Sequence, residues 1–258
     1  MASSVDYAGQ CSICGWQGTF TIADQQRPID RDLRCGQNHN LRSRDQAHVL
    51  IDEFGDGRQL SLDELIRSPV LNTRRVYYVG YAGPVCQRLR ALEGYVESAY
   101  DPVQPLGAVL GGRRVNQDLC QLTFDDCSFD LVMSSHVLEH VPDPWLGFAE
   151  MYRVLRPGGR MIASIPTRFP LSEVSVPRAE IVGDDGEVAH LKKPAYHKSP
   201  EGIPSLVFTD FGADLHERLT RVGFDVRMRR PNLQLQRAVC DLVVVGYRHS
   251  DGPADRVR

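Results

Sequence analysis

Lysine is almost missing from this 258-residue chain: Lys192, Lys193 and Lys198 are the only three, and every other basic residue is arginine. That imbalance reads as genome composition rather than as a recognition surface. Excess charge is missing too. A formal net charge of −3 offers no electrostatic case for binding nucleic acid, whose phosphates call for a basic face. No apolar run reaches the roughly 18 residues that a membrane-spanning helix requires. The opening stretch MASSVDYAGQ lacks the charged-then-apolar layout of a secretion signal, so the expectation is a soluble cytoplasmic protein. Internal repeats and low-complexity tracts are absent. What remains is an ordinary globular composition, 42% hydrophobic, long enough for one sizeable α/β core and a small appendage.

Seven cysteines in such a chain read as thiols or metal ligands before disulfides. Cys11-Ser-Ile-Cys14-Gly is a knuckle, two thiols three positions apart on a tight turn closed by Gly15. Cys35 and His39, with three residues between them, form a second half-site. Together Cys11, Cys14, Cys35 and His39 predict a closed tetrahedral zinc site with no open position, hence a structural one. The alternative is a knuckle and an unrelated Cys/His pair. A segment of about 45 residues with so few apolar side chains needs a metal or a docking partner to fold, which favours zinc. Cys86, Cys120, Cys127 and Cys240 lie within or beside expected core elements and read as inert small hydrophobes.

Residues 118–166 give a strand–helix–strand pattern with distinctive punctuation: Asp118-Leu119, then Phe129-Asp130-Leu131-Val132, a helical crossover from Val137 to Val154, and Leu155-Arg156-Pro157-Gly158-Gly159 turning into a strand from Arg160 to Ile165. This stretch, including its EHVPDP turn, resembles the second half of a class I S-adenosylmethionine-dependent methyltransferase. The resemblance implies a Rossmann-like seven-stranded α/β sheet with Asp118 and Leu119 under the adenine. The first strand, Val76 to Val79, runs into Gly80-Tyr-Ala-Gly83-Pro84, where glycines let the backbone approach a ligand. The implied contacts are Gly80 and Gly83 at the methionine moiety, Tyr100 on the adenosine and Ser134 beside the sulfonium. Two departures stand out. Tyr78 occupies the place of the family's first carboxylate, and Ala99 the place of its ribose-binding carboxylate; a shifted register would bring Glu97 or Asp101 in as substitutes.

Arg44 to Phe54 has helical periodicity, and Ser61 with Glu64 forms a capping box for a short helix to Ile66. Residues 166–204 are rich in Pro, Ser, Gly and charge, too long for a simple connection, and predict a lid or substrate-binding insertion. A helix is expected over Asp210 to Gly223, then strands Phe224–Met228 and Val239–Tyr247. The expected organisation is a zinc-knuckle module at 1–48, a methyltransferase-like domain at 49–249 and a disordered tail at 250–258. His136-Val-Leu-Glu139-His140 spells a peptidase zinc motif, HxxEH, but its setting after a buried strand argues against a peptidase. His136, at the opening of the fourth strand, is instead a candidate general base. His197 and Tyr196, a polar pair within the insertion, are the other catalytic candidates. Glu139 and His140 are expected to pack and cap.

The reading is a small-molecule S-adenosylmethionine-dependent methyltransferase of natural-product metabolism, with structural zinc and no nucleic-acid or membrane partner. Two rivals stand beside it: a methyltransferase-fold enzyme that has lost the cofactor and catalyses another displacement, such as intramolecular amine cyclisation, and a non-catalytic methyltransferase-like subunit whose zinc module docks a partner protein; a partner protein or a homo-oligomer is the expected assembly.

Overall fold

The computed structural model describes residues 5–22, 33–168, 171–183, 186–198, 202–229 and 239–249. The tail from 250 and the expected disorder there lie outside the described residues.

Strand β1 (Val5–Gln10) pairs antiparallel with β2 (Gln17–Ile22), and helices α1 (Leu41–Phe54) and α2 (Leu62–Arg67) follow. Asn40 caps α1 by accepting the Ser43 amide, and the expected box at Ser61 and Glu64 is fully formed. The sheet-forming half begins with β3 (Val76–Val79), all four residues of which are buried, as a parallel strand covered on both faces must be. It continues with α3 (Pro84–Leu89), β4 (Tyr95–Ala99), β5 (Val109–Gly111), β6 (Arg114–Asn116) and β7 (Phe129–Ser135). Helix α4 (Pro144–Val154) starts where Pro144 presets the helical φ and the Asp143 carboxylate accepts the amides of Trp145 and Leu146; it turns Phe148, Met151 and Val154 onto the sheet. Strand β8 (Leu155–Arg168) follows.

Residues 171–210 hold short antiparallel pairs: β9 (Val176–Pro177), β10 (Ala179–Val182), β11 (Glu187–His190), β12 (Tyr196–Lys198), β13 (Pro204–Leu206) and β14 (Thr209–Asp210). Here β10 pairs with β11, β12 with β13 and β9 with β14. The chain ends with α5 (Leu215–Val222), β15 (Asp225–Arg229) and β16 (Val239–Tyr247).

The main sheet runs β15-β16-β8-β7-β3-β4-β6-β5, parallel from β8 through β6, with β16 antiparallel to both β15 and β8. It has eight strands where seven were expected, because β5 folds back antiparallel on β6 and extends the edge. Three further expectations are corrected. The segment 137–154 is not one helix: a 3₁₀ turn, Leu138–His140, precedes α4, so His136 and His140 do not lie one turn apart on a regular helix. The last helix is shorter than Asp210–Gly223, since Thr209 and Asp210 pair with β9. The expected boundary at residue 48 falls inside α1.

That boundary fails for a physical reason. Cys11, Ile13 and Phe20 share one apolar core with Leu50, Leu62, Leu65, Val76, Tyr78, Leu131 and Val243, so the cysteine-bearing module, α1, α2 and α3 together cover one face of the sheet. Helices α4 and α5 cover the other through Phe148, Met151, Leu215 and Leu219.

Candidate functional site

Going outward from β3, the chain builds β4 and β6 on one side and later β7 and β8 on the other, so the order reverses between β3 and β7. Parallel α/β sheets open a crevice beyond the carboxyl ends of the strands at such a reversal. A cavity of about 830 Å³ lies there, lined by Gly80 and Gly83 after β3, Ala99 and Tyr100 after β4, and Ser135 and His136 after β7. Asp118 and Leu119 close a further side. Gly80 and Gly83 have φ of 99° and 103°, which side chains other than glycine's rarely adopt, and this is what turns the backbone across the cavity floor.

Five of the six residues expected to touch a cofactor therefore line one cavity: Gly80, Gly83, Tyr100, Asp118 and Leu119. Ser134 does not. It is fully buried, its carbonyl accepts the Gln46 amide at 2.7 Å, and its neighbour Ser135 faces the cavity instead. One oxygen of Asp118 accepts the Cys120 amide at 2.8 Å, which fixes the carboxylate at the rim.

Neither expected substitute carboxylate reaches the cavity. Glu97 is buried and held by Arg90 at 2.8 and 2.9 Å, Arg114 at 3.0 Å and Tyr95 at 2.9 Å. Burial alone would raise its carboxyl, but these donors outweigh it and hold Glu97 below the ordinary carboxylate range. Asp101 turns to its own loop and accepts the Val103 amide. Tyr78 is buried with its hydroxyl 3.4 Å from Gln46 Oε1, and burial pushes that hydroxyl well above the usual phenol range. Asp118 is thus the one carboxylate among the described cavity-lining residues. Arg42 of α1 lines the cavity as well, a contribution the sequence pattern did not signal because the helical periodicity begins at Arg44.

Beside the cavity His136, Glu139, His140 and His197 meet. The Glu139 side chain is 1% exposed, and its Oε1 faces His136 Nδ1 at 3.4 Å, His197 Nδ1 at 3.4 Å and His140 Nε2 at 3.6 Å. Burial works against its charge, yet the facing imidazoles of His197, His136 and His140 hold the carboxyl below its usual range. Burial lowers His140. His140 Nδ1 lies 2.7 Å from the Leu206 carbonyl and must donate to it, and the Glu139 carbonyl accepts the Phe208 amide at 2.7 Å, so the turn is clamped to the insertion. His136 has a left-handed backbone, φ 53°. It and His140 line the cavity, while His197 reaches the cluster from β12. Tyr196 is 56% exposed and does not line the cavity. Glu139, expected to pack, sits at the centre of this cluster; its place in HxxEH was the available signal.

Just before the N-terminus of α1 the ligand atoms of Cys11, Cys14, Cys35 and His39 all lie within 4.8 Å of one another. Cys11 Sγ and Cys35 Sγ stand 3.6 and 3.4 Å from His39 Nδ1, and Cys14 Sγ stands 4.0 Å from Cys35 Sγ. Burial pushes the Cys11 thiol up to about 12 and lowers the His39 imidazole, while backbone amides of His39 and Gln37 keep Cys35 below the ordinary thiol value despite its own burial.

Among known proteins, residues 93–163 match the model of a methyltransferase domain. An uncharacterized methyltransferase of Mycobacterium sp. (strain KMS) is 51% identical over 57 residues, 22% of this chain and 23% of that protein. The chain thus aligns with about a quarter of the length of such curated relatives. In solved structures, the glycopeptide N-methyltransferase MtfA in complex with sinefungin is 13% identical over 84% of this chain and 98% of that one, with a TM-score of 0.48. A methyltransferase from Mesorhizobium loti is 17% identical over 72% and 96%, with a TM-score of 0.45. The matched segment runs from just before β4 into β8 and supplies Tyr100, Asp118, Leu119 and His136 to the cavity, so the part of the chain that is similar to a methyltransferase domain is the part that lines it.

Proposed function

We propose that the chain is an S-adenosylmethionine-dependent methyltransferase for a small-molecule acceptor. The observation that carries this reading is the convergence of the Gly80–Gly83 turn, Tyr100, Asp118 and Leu119 on one cavity at the reversal of the sheet. These residues fit an adenosine: a carboxylate at the rim for the adenine edge, an aromatic face and a backbone turn free of side chains. The diol of a ribose is less well served, because Ala99 presents only a methyl group where a carboxylate is expected.

When bound, S-adenosylmethionine supplies an electrophilic methyl group on a sulfonium. Gly80 and Gly83 would hold its methionine part and Asp118 its adenine. What the chain itself contributes is position and a proton acceptor, since displacement at a methyl group needs alignment and a deprotonated nucleophile more than a covalent catalyst. His136 and His140 reach the cavity; His140 is engaged by the Leu206 carbonyl and Glu139, which leaves the His136 imidazole to take a proton from an acceptor seated there. Leu206 and Phe208, just beyond the insertion, add apolar side chains to the lining of the same cavity.

Calorimetric titration of the full chain with S-adenosylmethionine and S-adenosylhomocysteine tests the proposal. Micromolar binding that Asp118→Ala abolishes is expected. A folded protein showing no binding at millimolar ligand would overturn it.

A second reading has its own observation: Arg42, Lys198 and two histidines line the cavity against the single carboxylate Asp118. That lining suits a substrate with an anionic leaving group, as in a cofactor-free displacement such as an intramolecular amine cyclisation.

We infer zinc at Cys11, Cys14, Cys35 and His39 from the distances. Around a tetrahedral ion with the usual bond lengths, sulfur–sulfur pairs lie about 3.8 Å apart and sulfur–nitrogen pairs about 3.5 Å, close to the spacings found here. Three thiolates and one imidazole on a dication leave one negative charge, and the buried guanidinium of Arg44 lies in the field of all three sulfurs.

A further inference from the structure

We propose a second metal site, separate from the cysteine cluster, in which His136, Glu139 and His197 bind a divalent first-row transition ion of zinc type at the edge of the cavity, with a coordination position open towards it.

The distances carry the inference. A charge-assisted hydrogen bond from an imidazolium to a carboxylate is about 2.7–2.9 Å long, and an ordinary one ends near 3.2 Å. Glu139 Oε1 stands 3.4 Å from His136 Nδ1 and 3.4 Å from His197 Nδ1, too far for either. Neither carboxylate oxygen of Glu139 makes a hydrogen bond of normal geometry, although both are buried. Two ligands bound tetrahedrally at about 2.0–2.1 Å lie about 3.4 Å apart. The three ligand atoms also lie within 4.8 Å of one another. A carboxylate buried without hydrogen bonds is expensive in free energy unless a cation faces it, and the two imidazole nitrogens stand from its oxygen at the separation that ligands of one ion adopt.

The surroundings fit an ion that works rather than one that merely staples. His140 uses Nδ1 on the Leu206 carbonyl and turns Nε2 to the same Glu139 oxygen at 3.6 Å. If that nitrogen carries no proton, two lone pairs face each other unless a cation is shared between them. Its ring stands edge-on to His197, with centroids 5.0 Å apart, and so positions that ligand. His136 adopts a left-handed backbone to aim its imidazole, local strain of a kind that concentrates at functional sites. Two imidazoles and one carboxylate are the protein share of a catalytic rather than a structural zinc site, whose fourth position is left for water or substrate. Since His136 also lines the cavity, that position would take a hydroxyl of the acceptor and ease its deprotonation, the proton passing to a neighbouring base or to water. This last step rests on the methyltransferase reading; the metal site does not.

The test is metal analysis and titration of the full chain, with zinc and cobalt(II) as probes and no S-adenosylmethionine present, so that its outcome is independent of cofactor binding. Wild type made with zinc available should hold about two ions per chain. His197→Ala and Glu139→Gln should hold about one, with the remaining ion lost in the Cys35→Ser background. Titrated cobalt should bind the second site at least 10²-fold more weakly in both variants, beyond the effect of losing a mere supporting contact. His197 is 44% exposed, so its replacement leaves the fold intact, as far-ultraviolet circular dichroism would verify. A wild-type chain holding one ion that disappears entirely in Cys35→Ser overturns the proposal, and so do two ions that survive both His197→Ala and Glu139→Gln. One ion that survives Cys35→Ser and is lost in Glu139→Gln supports the second site and overturns the first.

Discussion

Glu97 meets Arg90 at two points, 2.8 and 2.9 Å, and this pair removes from the cavity the carboxylate that would most readily have held a ribose. In the parallel register Glu97 lies beside Tyr78, two positions before Ala99, so both residues nearest the expected carboxylate sites face other business.

The first prediction follows directly. Ala99→Asp returns a carboxylate to the position that lines the cavity. A hydrogen bond to a charged group contributes about 1.5–3 kcal/mol, so S-adenosylmethionine should bind the variant roughly 10- to 100-fold more tightly than wild type. Paired calorimetric titrations check this, and equal affinities would show that Ala99 does not face the diol.

A second prediction concerns stability. The folded Glu97 carboxyl is held below its unfolded value, so its stabilising contribution is fully present above the unfolded pKa of about 4.3 and is lost as pH falls through the folded value. Arg90 and Arg114 are 40% and 33% exposed, which screens the pair and places its worth at the low end for a buried network. Glu97→Gln should therefore destabilise the protein by about 2 kcal/mol at neutral pH, with the gap closing in acid. Denaturant unfolding of both proteins at neutral and acid pH measures it; a gap that widens in acid would contradict the sign.

Much of this architecture was legible in the residues. The resemblance to a methyltransferase placed the strands at Val76 and Phe129, the final pair stood where it was expected, and Ser61 with Glu64 spelled out a helix start. Three things were not legible. The break at Leu138–His140 comes from a turn clamped to the insertion through Leu206 and Phe208, a contact between segments about 70 residues apart that local periodicity does not register. The face-sharing of the cysteine module with Leu50 and Val76 is likewise a tertiary fact. And the centring of three histidines on Glu139 joins 136–140 to 197, so spacing alone suggested at most a two-histidine motif.

The shared core yields the third prediction. Structural zinc contributes folding free energy, and here the knuckle packs on α2, with the Ser12 and Ile13 carbonyls accepting the amides of Leu62 and Asp63. Cys35→Ser should release the zinc held by the cysteine cluster and lower the main melting transition by on the order of 10 °C, without producing a separate early transition. Calorimetry alongside metal analysis decides; two resolved transitions in the variant would mean that the module folds apart from the sheet.

The final prediction separates the catalytic candidates. His136 lines the cavity and faces Glu139, whereas Tyr196 is exposed and outside the cavity. Removing a positioned proton acceptor, or a ligand of an ion doing the same work, lowers turnover by about 10² or more. Alanine at position 136 would also disturb a backbone at φ 53°, so a fall in activity there would mix two causes. Asparagine tolerates the left-handed region and removes the imidazole alone. His136→Asn should therefore lose at least about 10² in kcat while still melting in one cooperative transition. Tyr196→Phe should stay within a few-fold of wild type. Steady-state kinetics on the acceptor with parallel melting curves make the comparison. Near-normal turnover in His136→Asn would exclude His136 as proton acceptor, and a collapse in Tyr196→Phe would mean that the insertion carries Tyr196 into the cavity when substrate binds.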